Sequence, residues 1–501
     1  MKVKRNVFVS LLFKVINLIF VFLIRFFLVN YLGIEYQGLI SLFTTIVGFL
    51  SIADLGIGSA ITSSMYKPIL NNDKKTISAL FYLYKKIYYI IALIVLIVGI
   101  ILLNFIPLFI KDLHVDTDVY LSYLIVLLGT LTSFLYASHI SLINAHQDTY
   151  KSVLISSSVL IAEYVFEIIV IVILKSFYLY LLCKVIFSLI QFLIFSLYIK
   201  KKYRYLYYYK KEVIDEESKK EIIKKSKAML FHKIGSSLVL NMDEVIISAL
   251  IGIGILGIYS NYVSLATSLI SIFSLLFTPL IAGIGTLFVS NKIEKMYNYF
   301  HAMFGILFVV GVFCFLSFYL LSDFVIYYWL GKEFIFEISY VFVITLNYFL
   351  NFFRQVTLTY RDACGLFYYD RYKSIFEGIV NLILSIILAL NFGFVGVLMA
   401  TIITNLFLTL IIEPFVLYKY AFKKNIKSFY FKQYSYIIFF VLFLYLSTLL
   451  KQNYILFDLK ELIINFLVVL LFTLFAFLIS IYSSKEFKMF IISKIPKTKK
   501  Y

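Results

Sequence analysis

The sequence has little of the charge that soluble proteins carry. Only 15% of its 501 residues are Asp, Glu, Lys or Arg, and 62% are hydrophobic. Soluble domains contain about 25% charged and about 45–50% apolar residues. This composition therefore excludes an ordinary soluble domain.

The sequence also has few residues of the kinds that cross-link chains or bind metals. Its three cysteines, Cys183, Cys314 and Cys364, lie far apart without C-x-x-C spacing, and its five histidines are scattered. Neither pattern indicates a disulfide framework or a metal site. No Walker-type G-x4-G-K-[ST] motif for nucleotide phosphates is present either. We therefore expect no cofactor and no ATP-driven chemistry.

Hydrophobic runs are abundant, and they recur from one end of the chain to the other. A helix of about 20 apolar residues crosses the ~30 Å hydrocarbon core, and backbone groups in lipid must be bonded within the segment, as in a helix. The sequence thus predicts an all-α polytopic membrane protein with about 14 transmembrane helices. The expected spans lie near residues 7–31, 38–64, 87–110, 119–142, 153–174, 177–199, 229–250, 256–289, 299–322, 337–360, 374–390, 393–417, 435–450 and 462–482.

The basic residues fall almost entirely on alternate loops of this arrangement. With the N-terminus in the cytoplasm, 36 of the 46 Lys and Arg lie in cytoplasmic segments, 5 in outside loops and 5 within spans. This is the positive-inside pattern of membrane proteins. The net charge of +19 is therefore interpreted as a topology signal and not as a nucleic-acid surface. We expect a multi-pass protein of the cell inner membrane with both termini in the cytoplasm.

The two halves of the chain resemble each other. Gly33-x4-Gly38 follows the first span and Gly252-x4-Gly257 follows the seventh. Two six-helix lobes in pseudo-two-fold repeat suit alternating access, in which the substrate site between the lobes opens to one side at a time; a duplicated channel or scaffold is the alternative. The predicted organisation is a six-helix lobe (1–199), a basic cytoplasmic linker (200–228), a second six-helix lobe (229–420) and two additional helices with a basic tail (421–501).

Five cationic residues lie inside predicted spans, where charges are costly and usually face a cavity or a partner. They are Lys14, Arg25, Lys184, Lys233 and Arg354. Arg binds phosphate oxygens bidentately and Lys acts as a point charge. These residues are therefore candidates for a cationic cleft that binds a phosphate or pyrophosphate. Alternatively, they extend to the membrane surface or pair with buried carboxylates. The candidate partners are Asp54, Glu163, Glu167, Asp243, Glu244, Glu377 and Glu413.

Two pairs of carboxylates also lie within spans. Glu163 and Glu167 are four residues apart, so they share one helix face as a like-charge pair. A bound proton or cation would relieve their repulsion, which makes them ion-coupling candidates. Asp243 and Glu244 are adjacent and point about 100° apart on a helix. One of them is expected to face the cleft.

Several motifs resemble a known family of membrane transporters. The run Asn241-Met242-Asp243-Glu244-Val245-Ile246-Ile247, with the following Leu256-Gly257-Ile258-Tyr259-Ser260, resembles the middle of polysaccharide-exporting flippases. The Gly393-to-Val397 segment and Tyr31-Leu32-Gly33 fit the same pattern. The family is that of Wzx-type O-antigen and capsule-unit flippases, in the multidrug/oligosaccharidyl-lipid/polysaccharide (MOP) exporter superfamily.

The resemblance implies a twelve-helix, two-lobe core that moves an undecaprenyl-pyrophosphate-linked oligosaccharide from the cytoplasmic to the outer leaflet. It also implies ion-gradient coupling and a cationic central cavity, to which Arg25 and Arg354 could contribute. Polysaccharide polymerase and chain-length proteins are possible partners.

Two other functions remain open at this point. A multidrug or small-molecule exporter shares the fold, and it would favour carboxylates over cations in the amino-terminal lobe. An O-antigen polymerase or ligase is the alternative from another class. Such enzymes need a sizeable outer domain, whereas the longest predicted outside loop here is only 323–336. The five cations within spans favour the flippase.

Overall fold

The fold is almost entirely helical. A computed structural model describes residues 2–51, 54–210, 212, 214, 242–366, 369, 372–451 and 459–494. Within these residues there are 17 α-helices and no β-strand. The first eight are α1 (Lys2–Tyr31), α2 (Ile34–Leu50), α3 (Asp54–Leu70), α4 (Lys74–Leu103), α5 (Val119–Ala145), α6 (Thr149–Ile169), α7 (Phe177–Lys202) and α8 (Tyr205–Tyr208). The others are α9 (Ile253–Val289), α10 (Ile293–Trp329), α11 (Ile338–Phe353), α12 (Gln355–Ala363), α13 (Lys373–Thr404), α14 (Leu410–Leu417), α15 (Lys427–Lys451), α16 (Leu459–Ser483) and α17 (Lys485–Lys494).

The helix lengths agree with the predicted number of membrane crossings. Among the described residues, 11 helices are long and apolar enough to cross a membrane. One of these covers 50 residues, Lys373–Phe422, and it changes direction at Gly393, so it supplies two crossings. The second predicted span is formed by two helices of 17 residues each, α2 and α3, and the seventh is described only from Met242. The prediction of an all-α polytopic membrane protein is confirmed.

Capping side chains in the loops define where helices begin. The Asp73 carboxylate precedes α4 and accepts a hydrogen bond from the backbone N–H of Thr76 at 3.1 Å. The Asp118 carboxylate precedes α5 and accepts from the N–H of Leu121 at 3.1 Å. Each cap satisfies a donor that has no partner within its own helix. The chain can therefore leave one helix and start the next within a short loop.

The contacts divide the chain into two compact units, Met1–Gly257 and Ile258–Tyr501, and the boundary falls within α9. In the first unit, α1 packs on α6, and α5 packs on both α4 and α7. The rings of Phe43 and Tyr123, both fully buried, meet edge to face at 5.8 Å in its core. The division into six-helix lobes, a linker and a terminal pair stays a prediction.

Two glycines of the predicted repeat lie in reciprocal contact within the first unit. A Cβ built on Gly38 would lie 2.2 Å from the carbonyl oxygen of Ile253, and one built on Gly257 would lie 2.2 Å from that of Ile34. Real Cβ atoms do not approach an oxygen so closely, so only glycine fits at either position. We call this contact between the start of α2 and the start of α9 the glycine crossing.

The first glycine of each motif makes the turn that permits this approach. Gly33 has φ 122° and Gly252 has φ 150°, a region that residues with side chains rarely adopt. Both therefore begin their helices from the same unusual backbone conformation. The Gly-x4-Gly spacing seen in the sequence thus combines a turn glycine with a contact glycine in each copy.

The second unit is built around α10, whose aromatic residues pack against α11 and α15. The rings of Phe308 and Tyr436 stack at 4.1 Å, and those of Phe349 and Phe440 at 3.6 Å. Stacked aromatic pairs contribute about 0.5–1.5 kcal/mol beyond the area that they bury. This core joins the consecutive helices α10 and α11 to α15, which lies more than 70 residues further along the chain.

A helical hairpin follows in the same unit, with its tip at Gly393. This residue has φ 58° and ψ −137°, so the chain reverses within α13. Asn381 donates to the hydroxyl of Thr404 at 3.2 Å. Thr409 donates to Glu377 at 2.5 Å, and these two residues lie at equal sequence distances from Gly393. The hairpin brings the start of α13 alongside α14.

We predict that Gly38→Ala or Gly257→Ala destabilises the protein by at least 1–3 kcal/mol, roughly the cost of overpacking a close contact. The expected result is a lower unfolding temperature of the purified protein in detergent. Gly48→Ala is the matched control, because its Cβ would meet nothing within 4 Å and alanine favours the helix by roughly 0.5–1 kcal/mol. Equal unfolding temperatures for Gly38→Ala and Gly48→Ala would contradict the glycine crossing.

Candidate functional site

Five ionisable side chains predicted to lie within the membrane form a charged cluster in the first unit. The aromatic rings of Tyr164 and Tyr180 lie among them, and each charged group interacts electrostatically with at least one other member. We call this set the amino-terminal cluster: Arg25 from α1, Glu163 and Glu167 from α6, Lys184 from α7, and Glu244 from the segment before α9. Its two cations and three carboxylates leave one formal negative charge.

Glu244 joins the segment before α9 to α1 and α2. Its carboxylate accepts hydrogen bonds from the hydroxyls of Ser41 at 2.8 Å and Thr45 at 2.6 Å. It also interacts electrostatically with Arg25. Three elements of the first unit thus meet at one carboxylate, as expected for a charge that must be satisfied by the protein and not by water.

Lys184 lies between the tyrosines and the carboxylate pair. Its Nζ lies 5.3 Å from the centre of the Tyr180 ring, a cation–π distance. Both Glu163 and Glu167 interact electrostatically with it. One cation therefore balances only one of the two carboxylates.

Glu167 is the least satisfied member of the amino-terminal cluster. Its side chain is fully buried, and neither carboxylate oxygen has a hydrogen-bond donor within the described part of the chain. A buried carboxylate without donors is costly. The position is therefore suited to a bound proton or small cation.

The other sequence candidates lie elsewhere. Asp243 is buried and its α-helical position directs it away from its neighbour Glu244. Lys14 lines a separate groove of about 340 Å³, together with Asn17 and Ser157. Lys233 lies outside the described residues.

Arg354 lies in the second unit, in a network of buried ion pairs. Its guanidinium donates to both carboxylate oxygens of Glu413, at 2.5 and 3.3 Å. Lys373 lies 2.7 Å from the same carboxylate and 2.8 Å from Glu377. Arg361 is 4.0 Å from Glu413. We call these five residues the hairpin network, because its members bridge the two arms of the helical hairpin and α11–α12.

The hairpin network corresponds to the second interpretation of Arg354, in which a buried cation pairs with a buried carboxylate. Glu413 is one of the partners available from the sequence, whereas the predicted spans leave Lys373 and Arg361 in a cytoplasmic loop. The i, i+4 spacing of Lys373 and Glu377 is the one local signal that pointed to an ion pair there. The contacts of Glu413 depend on the reversal at Gly393, which no short spacing reveals.

We predict that Glu413→Gln destabilises the second unit by roughly 3–5 kcal/mol, the usual cost of leaving a buried charge unpaired. The substitution leaves Arg354 and Lys373 buried without their shared carboxylate. Thermal unfolding in detergent measures the effect. Glu294→Gln is the control, because the Glu294 side chain is 71% exposed in its ion pair with Lys424 and its loss should cost less than about 1 kcal/mol. Similar losses for the two variants would contradict a structural role for the network.

Comparison with known structures identifies the fold. The chain matches an inward-facing multidrug resistance MATE family transporter of the MOP superfamily, with TM-score 0.63 and 13% identity over 82% of this chain and 98% of that one. It also matches the lipid II flippase MurJ in an inward closed conformation, with TM-score 0.63 and 18% identity over 96% of this chain and 99% of the other. A third match is a MOP superfamily transporter from Pyrococcus furiosus, with TM-score 0.52 and 13% identity over 85% of this chain and 96% of that one.

At these identities the matches establish the fold, and the sequence itself establishes the family. A search of curated protein sequences gave no significant match. A family model described as "Polysaccharide biosynthesis protein" matches residues 3–284, more than half of the chain. These residues include all of the amino-terminal cluster. The chain has the fold of MOP superfamily transporters and belongs to the polysaccharide biosynthesis protein family.

Proposed function

We propose that the protein is a flippase that moves an undecaprenyl-pyrophosphate-linked oligosaccharide, an O-antigen or capsule repeat unit, from the cytoplasmic to the outer leaflet of the inner membrane. Family membership supports a substrate that belongs to polysaccharide assembly. The amino-terminal cluster is the observation that carries the mechanism, because it combines cations that attract phosphate with carboxylates that exchange protons or ions. The proposed transport cycle is alternating access, driven by an ion gradient without a chemical step.

In this proposal, cations of the first unit hold the pyrophosphate. Arg25 supplies a permanently charged, bidentate donor, while Lys14, in its groove on the other half of α1, and Lys184 add positive charge at different depths. Lys233 is proposed to belong to the same set. A pyrophosphate that approaches Arg25 would compete with Glu244, so substrate binding and the contacts of Glu244 with α2 would be linked.

Arg354 is proposed to bind phosphate under one condition. The Glu413 carboxylate already binds Nε and Nη2, one bidentate edge of the Arg354 guanidinium. Phosphate oxygens would have to replace this carboxylate to bind the same edge. Such an exchange would open the hairpin network and free the two arms of the helical hairpin. The proposed role of Arg354 is therefore conditional on a rearrangement, in contrast to that of Arg25.

The carboxylates of the first unit are proposed to couple transport to a proton or sodium gradient. Glu163 and Glu167 share one cation, Lys184, and Glu167 has no donor among the described residues. Binding of a proton or cation at this pair would change the net charge of the amino-terminal cluster from negative to neutral. Asp243 and Glu244 are proposed as further coupling residues, of which Glu244 is the member in electrostatic contact with Arg25.

Export of a small molecule is the second candidate function. The matched MATE transporter has the same TM-score as the matched flippase, and the amino-terminal cluster contains three carboxylates that could hold a cationic compound. The two functions differ in what accumulates when the gene is lost. An O-antigen polymerase or ligase would also alter surface glycans, so the leaflet on which the substrate is stranded must be determined.

The direct test of the proposal is deletion of the gene in its own host. A membrane-impermeant glycan-cleaving enzyme is applied to intact cells and to inverted vesicles, and the undecaprenyl-linked oligosaccharide on each leaflet is measured. Accumulation only on the cytoplasmic leaflet, with loss of surface polysaccharide, is expected. Single units stranded on the outer leaflet would indicate a polymerase or ligase. Unchanged pools on both leaflets would indicate a small-molecule exporter.

We predict that Arg25→Ala lowers export of the oligosaccharide at least about tenfold, because a hydrogen bond to a charged group contributes roughly 1.5–3 kcal/mol. Export is measured as surface polysaccharide at equal protein level in the membrane. The double variant Arg25→Ala/Glu244→Gln distinguishes substrate binding by Arg25 from a structural role in pairing with Glu244. In this variant Glu244 no longer carries the negative charge that Arg25 balances. Export restored in the double variant would reduce Arg25 to a structural partner of Glu244.

We predict that Glu163→Gln combined with Glu167→Gln makes the remaining export insensitive to collapse of the coupling gradient. The measurement is export with and without a proton or sodium ionophore. Glu333→Gln, at an exposed position in the loop after α10, is the control and should retain normal sensitivity. If the double variant keeps the ionophore response of the unmodified protein, these two carboxylates do not couple the gradient.

A further inference from the structure

Two adjoining pockets lie at one end of the first unit, on the face that the charge pattern predicts to be cytoplasmic. One measures about 750 Å³ and lies between the ends of α7 and α8. The other measures about 400 Å³ and lies between α4, α5 and α7. Both pockets are lined by Tyr207. The cationic residues that line them are Lys85, Lys86, Lys200, Lys201, Arg204 and Lys210.

These six cations differ from the basic residues around them. Lys202 and Lys151 both bind the carboxylate of Asp148, and Lys75 lies 3.7 Å from Glu212. No carboxylate forms an ion pair with any of the six within the part of the chain that the structure describes. The two pockets therefore concentrate positive charge that the described residues leave unbalanced.

The wall of the smaller pocket is fixed by buried contacts. The Ser78 hydroxyl of α4 is fully buried and lies 3.1 Å from the carbonyl oxygen of Leu206 and 3.0 Å from that of Tyr209. These contacts hold α8 against α4. His139, at the base of this pocket, packs edge to face with Phe81 at 5.5 Å. The pocket is thus a formed concavity and not only a row of surface lysines.

Exposed apolar side chains lead from the hydrocarbon region to the pockets. On α7, Ile186, Ile190, Leu193 and Leu197 recur at helical spacing and are all exposed, and Leu197 itself lines the larger pocket. On α4, Leu93, Ile97 and Ile101 form a second exposed row, which ends at Tyr89 beside the smaller pocket. Apolar rows of this kind accommodate acyl chains, and the basic pockets lie where a lipid headgroup would be.

We propose that these pockets bind the headgroup of an anionic membrane phospholipid. Lys85, Lys86, Arg204 and Lys210 contact the phosphate, Tyr207 lies between the two pockets, and the acyl chains lie along the apolar rows of α4 and α7. Basic pockets between transmembrane helices on the cytoplasmic side are suited to anionic headgroups. The occupant is a resident lipid and not transported cargo, because the pockets adjoin exposed, lipid-facing side chains and contain no member of the amino-terminal cluster. This site is independent of the proposed transport function.

The test is native mass spectrometry of the full chain in mild detergent with added phosphatidylglycerol or phosphatidylcholine. The unmodified protein should retain phosphatidylglycerol at least about tenfold better than phosphatidylcholine. The variant Lys86→Gln/Arg204→Gln, with one change in each pocket, should lose most of this preference, as expected for two basic groups acting on one phosphate. Lys67→Gln/Lys74→Gln is the matched control, because it removes the same charge from exposed positions outside both pockets.

Each outcome distinguishes the site from general charge attraction. Retained preference in the control and lost preference in the pocket variant support the proposal. Equal loss in both variants, or no preference in the unmodified protein, would overturn it. A bound mass that matches only a prenyl-pyrophosphate oligosaccharide would also overturn it, because the pockets would then hold cargo. The lipid comparison on the unmodified protein needs no variant to fold, and neither arm requires the protein to be a flippase.

Discussion

A charge inside a hydrocarbon environment must find its partner within the protein, and this constraint governs both units. In the hairpin network of the second unit it is met almost completely, since Glu413 receives a bidentate arginine and a lysine. In the first unit it is met only in part. Glu167 is fully buried without a donor among the described residues, and it shares Lys184 with Glu163. In the hairpin network the charges hold helices together. In the amino-terminal cluster one carboxylate is left for a partner that can exchange, such as a proton or a small cation.

The same constraint explains how the helical hairpin is held. A helix that reverses at Gly393 would otherwise bring two apolar arms together with little to fix their register. Side-chain hydrogen bonds and ion pairs at matched distances from the tip supply that register, with Asn381 nearest to it and Lys373 farthest away. Polar contacts in this part of the protein therefore specify position more than they add stability. In the first unit, by comparison, Ser41 and Thr45 of α2 donate hydrogen bonds to Glu244. The same carboxylate interacts electrostatically with Arg25 of α1.

Much of the fold and part of the candidate site follow from the sequence alone. Length and hydropathy predict the crossings, and span assignment alone places Arg25, Glu163, Glu167, Lys184 and Glu244 inside the membrane. Their convergence depends on the packing of α1, α6 and α7, which local spacing does not encode. Arg354 illustrates the limit most clearly, because its partner Glu413 is 59 residues away and reaches it only after the chain has reversed at Gly393. The predicted span boundaries leave Lys373 in a loop, because hydropathy does not recognise a buried cation whose second partner, Glu413, comes from a distant segment.

The glycine crossing relates the two copies of the predicted repeat to each other. Gly38 meets the residue after Gly252, and Gly257 meets the residue after Gly33, so each copy of the motif presents the same surface to the other. Reciprocal contacts of this kind characterise the isologous interface of a two-fold symmetric homodimer. The crossing therefore has the reciprocity that the predicted two-fold repeat requires, within a single polypeptide. Each contact glycine lies against the backbone of the other motif, so neither position leaves room for a side chain.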